Sequence, residues 1–143
     1  MSLETTYDPQ NIFAKIIRGE MPKVAVYEDE STLAFMDVFP QSEGHTLVIH
    51  KRAEAVNFLD LPPEALAKVI ATTQKVARAV VEALKPDGFR IVQFNGEAAG
   101  QTVYHTHMHI IPMWNDRTLG RHGEGMAPAD ELEAIAAKIK NAL

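Results

Sequence analysis

Three histidines in strict alternation, His105-Thr106-His107-Met108-His109, run into Ile110-Ile111. No other stretch constrains the chain as much. Side chains at i, i+2 and i+4 of an extended strand share one face. The three imidazoles therefore form a row, with successive members roughly 6–7 Å apart along the strand. Thr106, Met108 and Ile110 turn the other way, toward packing. The chain must build a sheet that carries this row on one side, and the strand is expected to span residues 104–111.

The rest of the chain supplies partners for that strand. Asn11 caps a short helix that stops at Gly19, with Phe13, Ile16 and Ile17 on one face. Residues 24–27 and 32–36 read as two strands joined by Glu28-Asp29-Glu30-Ser31, and residues 46–49 as a third entered through Gly44. Pro62-Pro63 opens the longest helix. Its apolar face is Leu66, Val69, Ile70, Thr73, Val76, Ala77, Val80, Val81 and Leu84, and Lys85-Pro86-Asp87-Gly88 ends it. A fourth strand spans 89–94. A last helix starts near Pro128, with Leu132, Ile135, Ala136 and Ile139 inward. Helix, three strands, helix, two strands and helix predict an α+β fold with an antiparallel sheet rather than a βαβ repeat. The expected organisation is a single domain over 1–143, with a core at 11–112 and a C-terminal extension with its helix at 113–143.

Composition removes several classes of function. The 143 residues carry a formal charge of −5, against broad binding to nucleic acid. There is no cysteine, so disulfides, thiolate catalysis and Cys-ligated zinc are excluded. No apolar run approaches the ~20 residues of a spanning helix. The start of the chain lacks the basic and apolar regions of a signal peptide, so a cytoplasmic location is expected.

Two chemistries use a row of imidazoles. A neutral histidine can attack an electrophile directly, and three together can hold a catalytic zinc. Before the row lies Asn95-Gly96-Glu97-Ala98-Ala99-Gly100-Gln101-Thr102, whose glycines and amides suit an anion beside a nucleophile. Upstream, Asp37 ends an apolar strand. It reads either as a turn residue or as a carboxylate for a ribose diol. His45 follows Gly44.

These segments together resemble the histidine triad (HIT) family, in the branch of the Hint nucleoside phosphoramidases and bacterial HIT hydrolases. The likeness rests on residues 95–96, 100–109, 34–37 and 44–49, and on the N-terminal stretch Ile12 to Pro22. The resemblance implies a five-stranded antiparallel sheet with flanking helices, continued across a homodimer, and a purine nucleotide pocket. It implies that His107 attacks the α-phosphorus, forming a nucleotidyl-histidine that water hydrolyses to nucleoside monophosphate. His109 would touch the phosphoryl oxygens, with His105 and His45 in the orienting network. Asn95, Gln101 and Thr102 would hold phosphate and leaving group, and Asp37 the ribose. Phe13, Ile16 and Met21 would line the base pocket, with Val38 beside the ribose. Neither a metal nor another cofactor is expected, and neither nucleic acid nor membrane is an expected partner. The same pocket would also suit a dinucleoside polyphosphate hydrolase, or a nucleotide-binding interaction protein with incidental hydrolysis. The nucleophile's second nitrogen needs a fixed acceptor, for which a backbone carbonyl is expected.

Two departures stand out from the family pattern. His50 occupies a position where proline is common, and reads as a surface residue. After the row, Ile111-Pro112-Met113-Trp114 leads into a tail with Arg117, Arg121 and His122; the leaving group is expected to face this segment, Trp114 is a candidate contact for it, and Arg117 and Arg121 read as solvated loop residues.

Overall fold

The structure, a computed structural model, describes residues 3, 5–119 and 125–143. Arg121 and His122 lie outside the described residues. In chain order the elements are α1 (Ile12–Ile17), β1 (Ala25–Glu28), β2 (Thr32–Met36), β3 (Thr46–His50), α2 (Pro63–Leu84), β4 (Gly88–Val92), a 3-10 turn at Glu97–Ala99, β5 (Met108–Met113) and α3 (Ala129–Asn141). The five strands form one sheet in the order β1-β2-β3-β5-β4. Every neighbouring pair is antiparallel.

Local chemistry sets the helix ends as expected. The Asn11 side chain accepts the Ala14 N–H at the start of α1. Proline occupies the first turn of α2, and Lys85 closes it in the left-handed region (φ 52°) before Pro86. Acidic residues begin α3 and lysines end it, matching the helix dipole.

Strand alternation sorts the core onto two faces. Val26, Ala34, Met36, Val48, Met108 and Ile110 pack against α2 and α3. Leu33, Phe35, Leu47 and Ile49 pack against Phe13 and Ile16 of α1. Leu47 pairs with His109 across the sheet, so the histidine side of β5 is the α1 side. β2 and β3 are buried on both faces.

Three expectations are corrected. β5 begins at Met108, not at 104, because β3 pairs with it only from Met108 onward. Ahead of that point Thr106 N–H turns away to the Ala55 carbonyl, 2.9 Å. β4 ends at Val92, and beyond it Gln93 reaches the Thr106 hydroxyl through its side chain rather than through the sheet. On α2 the inward face is turned toward Ala65 and Thr72, leaving Ile70 exposed. Thr72 meets the Thr32 hydroxyl at 2.7 Å in the interior.

Candidate active site

β5 and the irregular segment before it carry the three histidines, all buried. His107 and His109 lie side by side, ring centroids 4.9 Å apart. The Phe13 ring meets His107 edge-on at 4.9 Å, and Phe94 packs on His109 at 5.0 Å. The short α1 helix thus presses an aromatic wall against the row.

The partners of each ring decide where its proton sits. His107 Nδ1 lies 2.7 Å from the carbonyl oxygen of His105. A carbonyl can only accept, so Nδ1 carries the proton and Nε2 of the neutral ring holds a lone pair. The fixed acceptor is the backbone carbonyl that the chemistry requires. The Gln41 N–H donates to His45 Nδ1 at 3.0 Å. His45 Nε2 therefore bears the proton and donates it to His109 Nδ1, 2.9 Å away, with Asp37 Oδ2 at 3.5 Å. His109 in turn keeps its proton on Nε2. Two neighbouring imidazoles thus have opposite tautomers, one ready to attack and one ready to donate.

His105 is held at both nitrogens. Nε2 lies 3.1 Å from the His50 carbonyl and Nδ1 lies 2.8 Å from the Tyr7 hydroxyl. Burial, with small contributions from His107 and His50, lowers its pKa to about 4 against a bond to the His50 carbonyl that favours the charged form. His50 is not a surface residue. It is buried, and its Nδ1 accepts the N–H groups of Arg52 and Ala53, both at 3.0 Å. The imidazole replaces a turn's missing acceptors, which is why it faces inward. Burial, followed by Lys68 and Arg52, lowers its pKa also.

The loop before the row is braced from within. Gln101 Oε1 accepts the Gly96 N–H at 2.8 Å, and its amide donates to the Val56 and Val103 carbonyls. The Asn95 oxygen accepts the Phe58 N–H at 2.8 Å. Thr102 is exposed. Asp37 is buried, with Oδ1 on the Phe39 N–H at 2.8 Å. Phe13 and Ile16 are buried beside the row, Val38 is half-buried and Met21 is exposed at the end of the α1 turn.

The HIT domain model matches residues 18–116. The chain belongs to the HIT family. It is 47% identical to a Hit-like protein involved in cell-cycle regulation from Bartonella henselae, solved with an unknown ligand, covering 97% of this chain and 100% of that one at a TM-score of 0.91. Adenylylsulfatase HINT3 of Arabidopsis thaliana is 38% identical over 117 residues, 78% of this chain and 59% of that protein. A zinc-bound histidine triad family protein from Mycobacterium smegmatis is 36% identical with a TM-score of 0.81, covering 93% of this chain and 92% of that one. Membership makes this HIT chain a nucleotide-binding hydrolase or transferase of that class.

A metal can be tested against the donors. Within the described residues, Asp37, His45 and His109 bring one ligand atom each within 4.8 Å of one another. The set does not suit a cation as it stands. His45 accepts a backbone N–H on Nδ1, so its Nε2 could bind metal only as an imidazolate or after breaking that bond. The His105-His107-His109 row does not suit one either, because both nitrogens of His105 already point at other groups.

Tyr7 and Gln41 are site residues that the sequence did not reveal. Neither lies in a motif, and Tyr7 acts across 98 positions of chain. His50 was visible as a departure from the family pattern, but nothing in its neighbours marked it as buried.

Proposed function

We propose that this HIT protein cleaves purine nucleoside phosphoramidates, or related nucleotide conjugates, at the α-phosphate in the cytoplasm. The observation that carries this reading is the 2.7 Å bond from His107 Nδ1–H to the His105 carbonyl, which leaves Nε2 unprotonated for attack. In the first step His107 Nε2 bonds to the α-phosphorus and the phosphorus–nitrogen bond of the substrate breaks. The departing amine takes a proton, for which His109 Nε2–H is the donor. Water then displaces His107, releasing the nucleoside monophosphate and restoring the ring. His105 and His45 orient the two reacting imidazoles. Asp37 takes the ribose hydroxyls, Phe13, Ile16 and Met21 the base, and Val38 the ribose edge. Asn95 and Thr102 meet the phosphate and leaving group. Gln101 holds the loop from inside, a more indirect part than the motif implies. Attack at the same phosphorus accommodates a sulfate leaving group, the chemistry in the name of the Arabidopsis relative. A second copy of the chain packs along β4, whose Phe89 and Ile91 are exposed on the outer strand of the sheet.

Single-turnover reaction with adenosine 5′-phosphoramidate tests the reading, with metal content assayed on the same preparation. Wild type should release AMP without stoichiometric metal. His107→Gly should lose turnover by at least about 10³-fold while still binding nucleotide. Full turnover in that variant would sink the mechanism.

A further inference from the structure

The row of imidazoles continues outward through groups that the proposed reaction does not touch. His105 Nε2 faces a carbonyl, which only accepts, so the ring donates there. At neutral pH this ring has a single proton, because burial holds its pKa near 4. Nδ1 is then an acceptor, and the Tyr7 hydroxyl donates to it at 2.8 Å. The two rings also meet edge to face with centroids 5.7 Å apart. The segment that carries Tyr7 is anchored near the same loop. The Leu3 carbonyl accepts from the buried Asn57 side chain at 2.9 Å, and the Leu3 side chain lies over Gly96.

We propose that Tyr7 is a positioning residue for the nucleophile: its hydroxyl, donating to Nδ1 while the His50 carbonyl takes the Nε2 proton, holds the His105 ring in place, and His105 presents its carbonyl to His107 Nδ1. The physical content lies in the choice His105 would otherwise have. A neutral imidazole places its proton on either nitrogen at similar cost in water. With a carbonyl at Nε2, the Nε2–H tautomer makes both hydrogen bonds, whereas the Nδ1–H tautomer, even with the hydroxyl turned to accept, leaves a nitrogen lone pair facing the His50 oxygen. Buried mismatches of that kind are expensive. The ring is thereby pinned at both ends, and together with the Thr106 N–H bond to the Ala55 carbonyl in the same peptide unit it holds the His105 carbonyl where His107 Nδ1–H meets it. A nucleophile whose Nδ1 lost that acceptor would divide its proton between both nitrogens, and Nε2 would no longer be reliably open.

This inference rests on His107 as nucleophile, and the test separates the two. Long-range proton–nitrogen spectra of the imidazoles report tautomers without any turnover. Wild type should show His105 as the single Nε2–H form and His107 as the single Nδ1–H form. Tyr7→Phe keeps the ring contact and deletes only the hydroxyl. It takes away the donor to His105 Nδ1 and should shift the His105 ring-nitrogen signals, weaken the His107 Nδ1–H signal, and lower kcat on adenosine 5′-phosphoramidate about tenfold with KM within about twofold. Tyr27→Phe removes the remote hydroxyl that bonds Asp29 and should change neither. A Tyr7→Phe protein that keeps the wild-type ring-nitrogen signals of His105 and His107, or that keeps wild-type kcat, overturns the inference. If wild type itself releases no AMP, the proposed function fails, and the spectra alone decide the part played by Tyr7.

Discussion

A buried imidazole that stays neutral ties stability to pH at the level of one residue. His105 titrates near 4 in the folded chain against an ordinary 6.5, chiefly because burial penalises its charge. Between those values the unfolded chain binds the proton and the folded chain does not. Stability therefore rises with pH across that window, by up to about 1.4 kcal/mol per unit. The contribution is complete above pH 6.5 and is lost as pH falls toward 4. His50 is shifted the same way and adds to the trend. Urea unfolding at pH 5 and pH 7 should show wild type weaker at pH 5, with a smaller difference in His105→Asn. Equal pH dependence in the two proteins would show that this ring does not carry the effect. The row thus accepts a stability loss in acid in return for an uncharged neighbour beside the nucleophile.

At the scale of elements, Gly44 shows how closely β3 is fitted. It enters the strand at φ 89°, and a Cβ there would lie 2.3 Å from Leu84 Cδ1 and 3.3 Å from Pro112 Cγ. The strained backbone alone costs about 1–3 kcal/mol for a non-glycine residue, and the end of α2 would have to move as well. Gly44→Ala should lower Tm by roughly 4–10 °C for a chain of this length, measured by scanning calorimetry. An unchanged Tm would mean that the turn adopts another conformation. Such fits also mark the limit of what a sequence reveals. Periodicity and caps locate α1, α2 and α3 because those signals are local: Asn11, the Pro62-Pro63 start and the Pro128 start each act within one turn. The pairing of β1 with β2 is legible for the same reason. The start of β5 is not, because it depends on where β3 stops offering partners. β3 stops at His50, whose ring folds the next residues into a turn. Alternation through His105 and His107 reads as strand, yet the chain bends at 103–105 and Thr106 N–H bonds the Ala55 carbonyl in the 50s loop instead of a sheet neighbour. The same non-local dependence hid Tyr7, while His107 and its row were plain from spacing alone.

For the whole molecule, the open question is what covers the outer edge of the sheet. β1 and β4 are its two edge strands, and an edge with free backbone groups invites pairing. β1 is packed by α3, whereas Phe89 and Ile91 on β4 are 47% and 40% exposed. Both side chains lie on the face that carries α2, since they alternate along one strand and Ile91 pairs with Ile110. Phe89 also borders a groove of about 620 Å³ with Ala77, Val81 and Pro86. Two apolar residues beside a helix face suit a second copy related by a two-fold axis, which would lay β4 against β4 and bury the same patch twice. Such a dimer is held by apolar contact, so its association should be insensitive to salt. Wild type should sediment as a dimer at micromolar concentration in both 0.05 M and 0.5 M sodium chloride, concentrations chosen as roughly a threefold change in screening length. Ile91→Glu places a charge in each half of the patch and should give a monomer with unchanged far-ultraviolet circular dichroism. A wild-type monomer would leave β4 without the proposed partner. A dimer that survives Ile91→Glu would move the interface to another surface and separate oligomer formation from the exposed strand altogether.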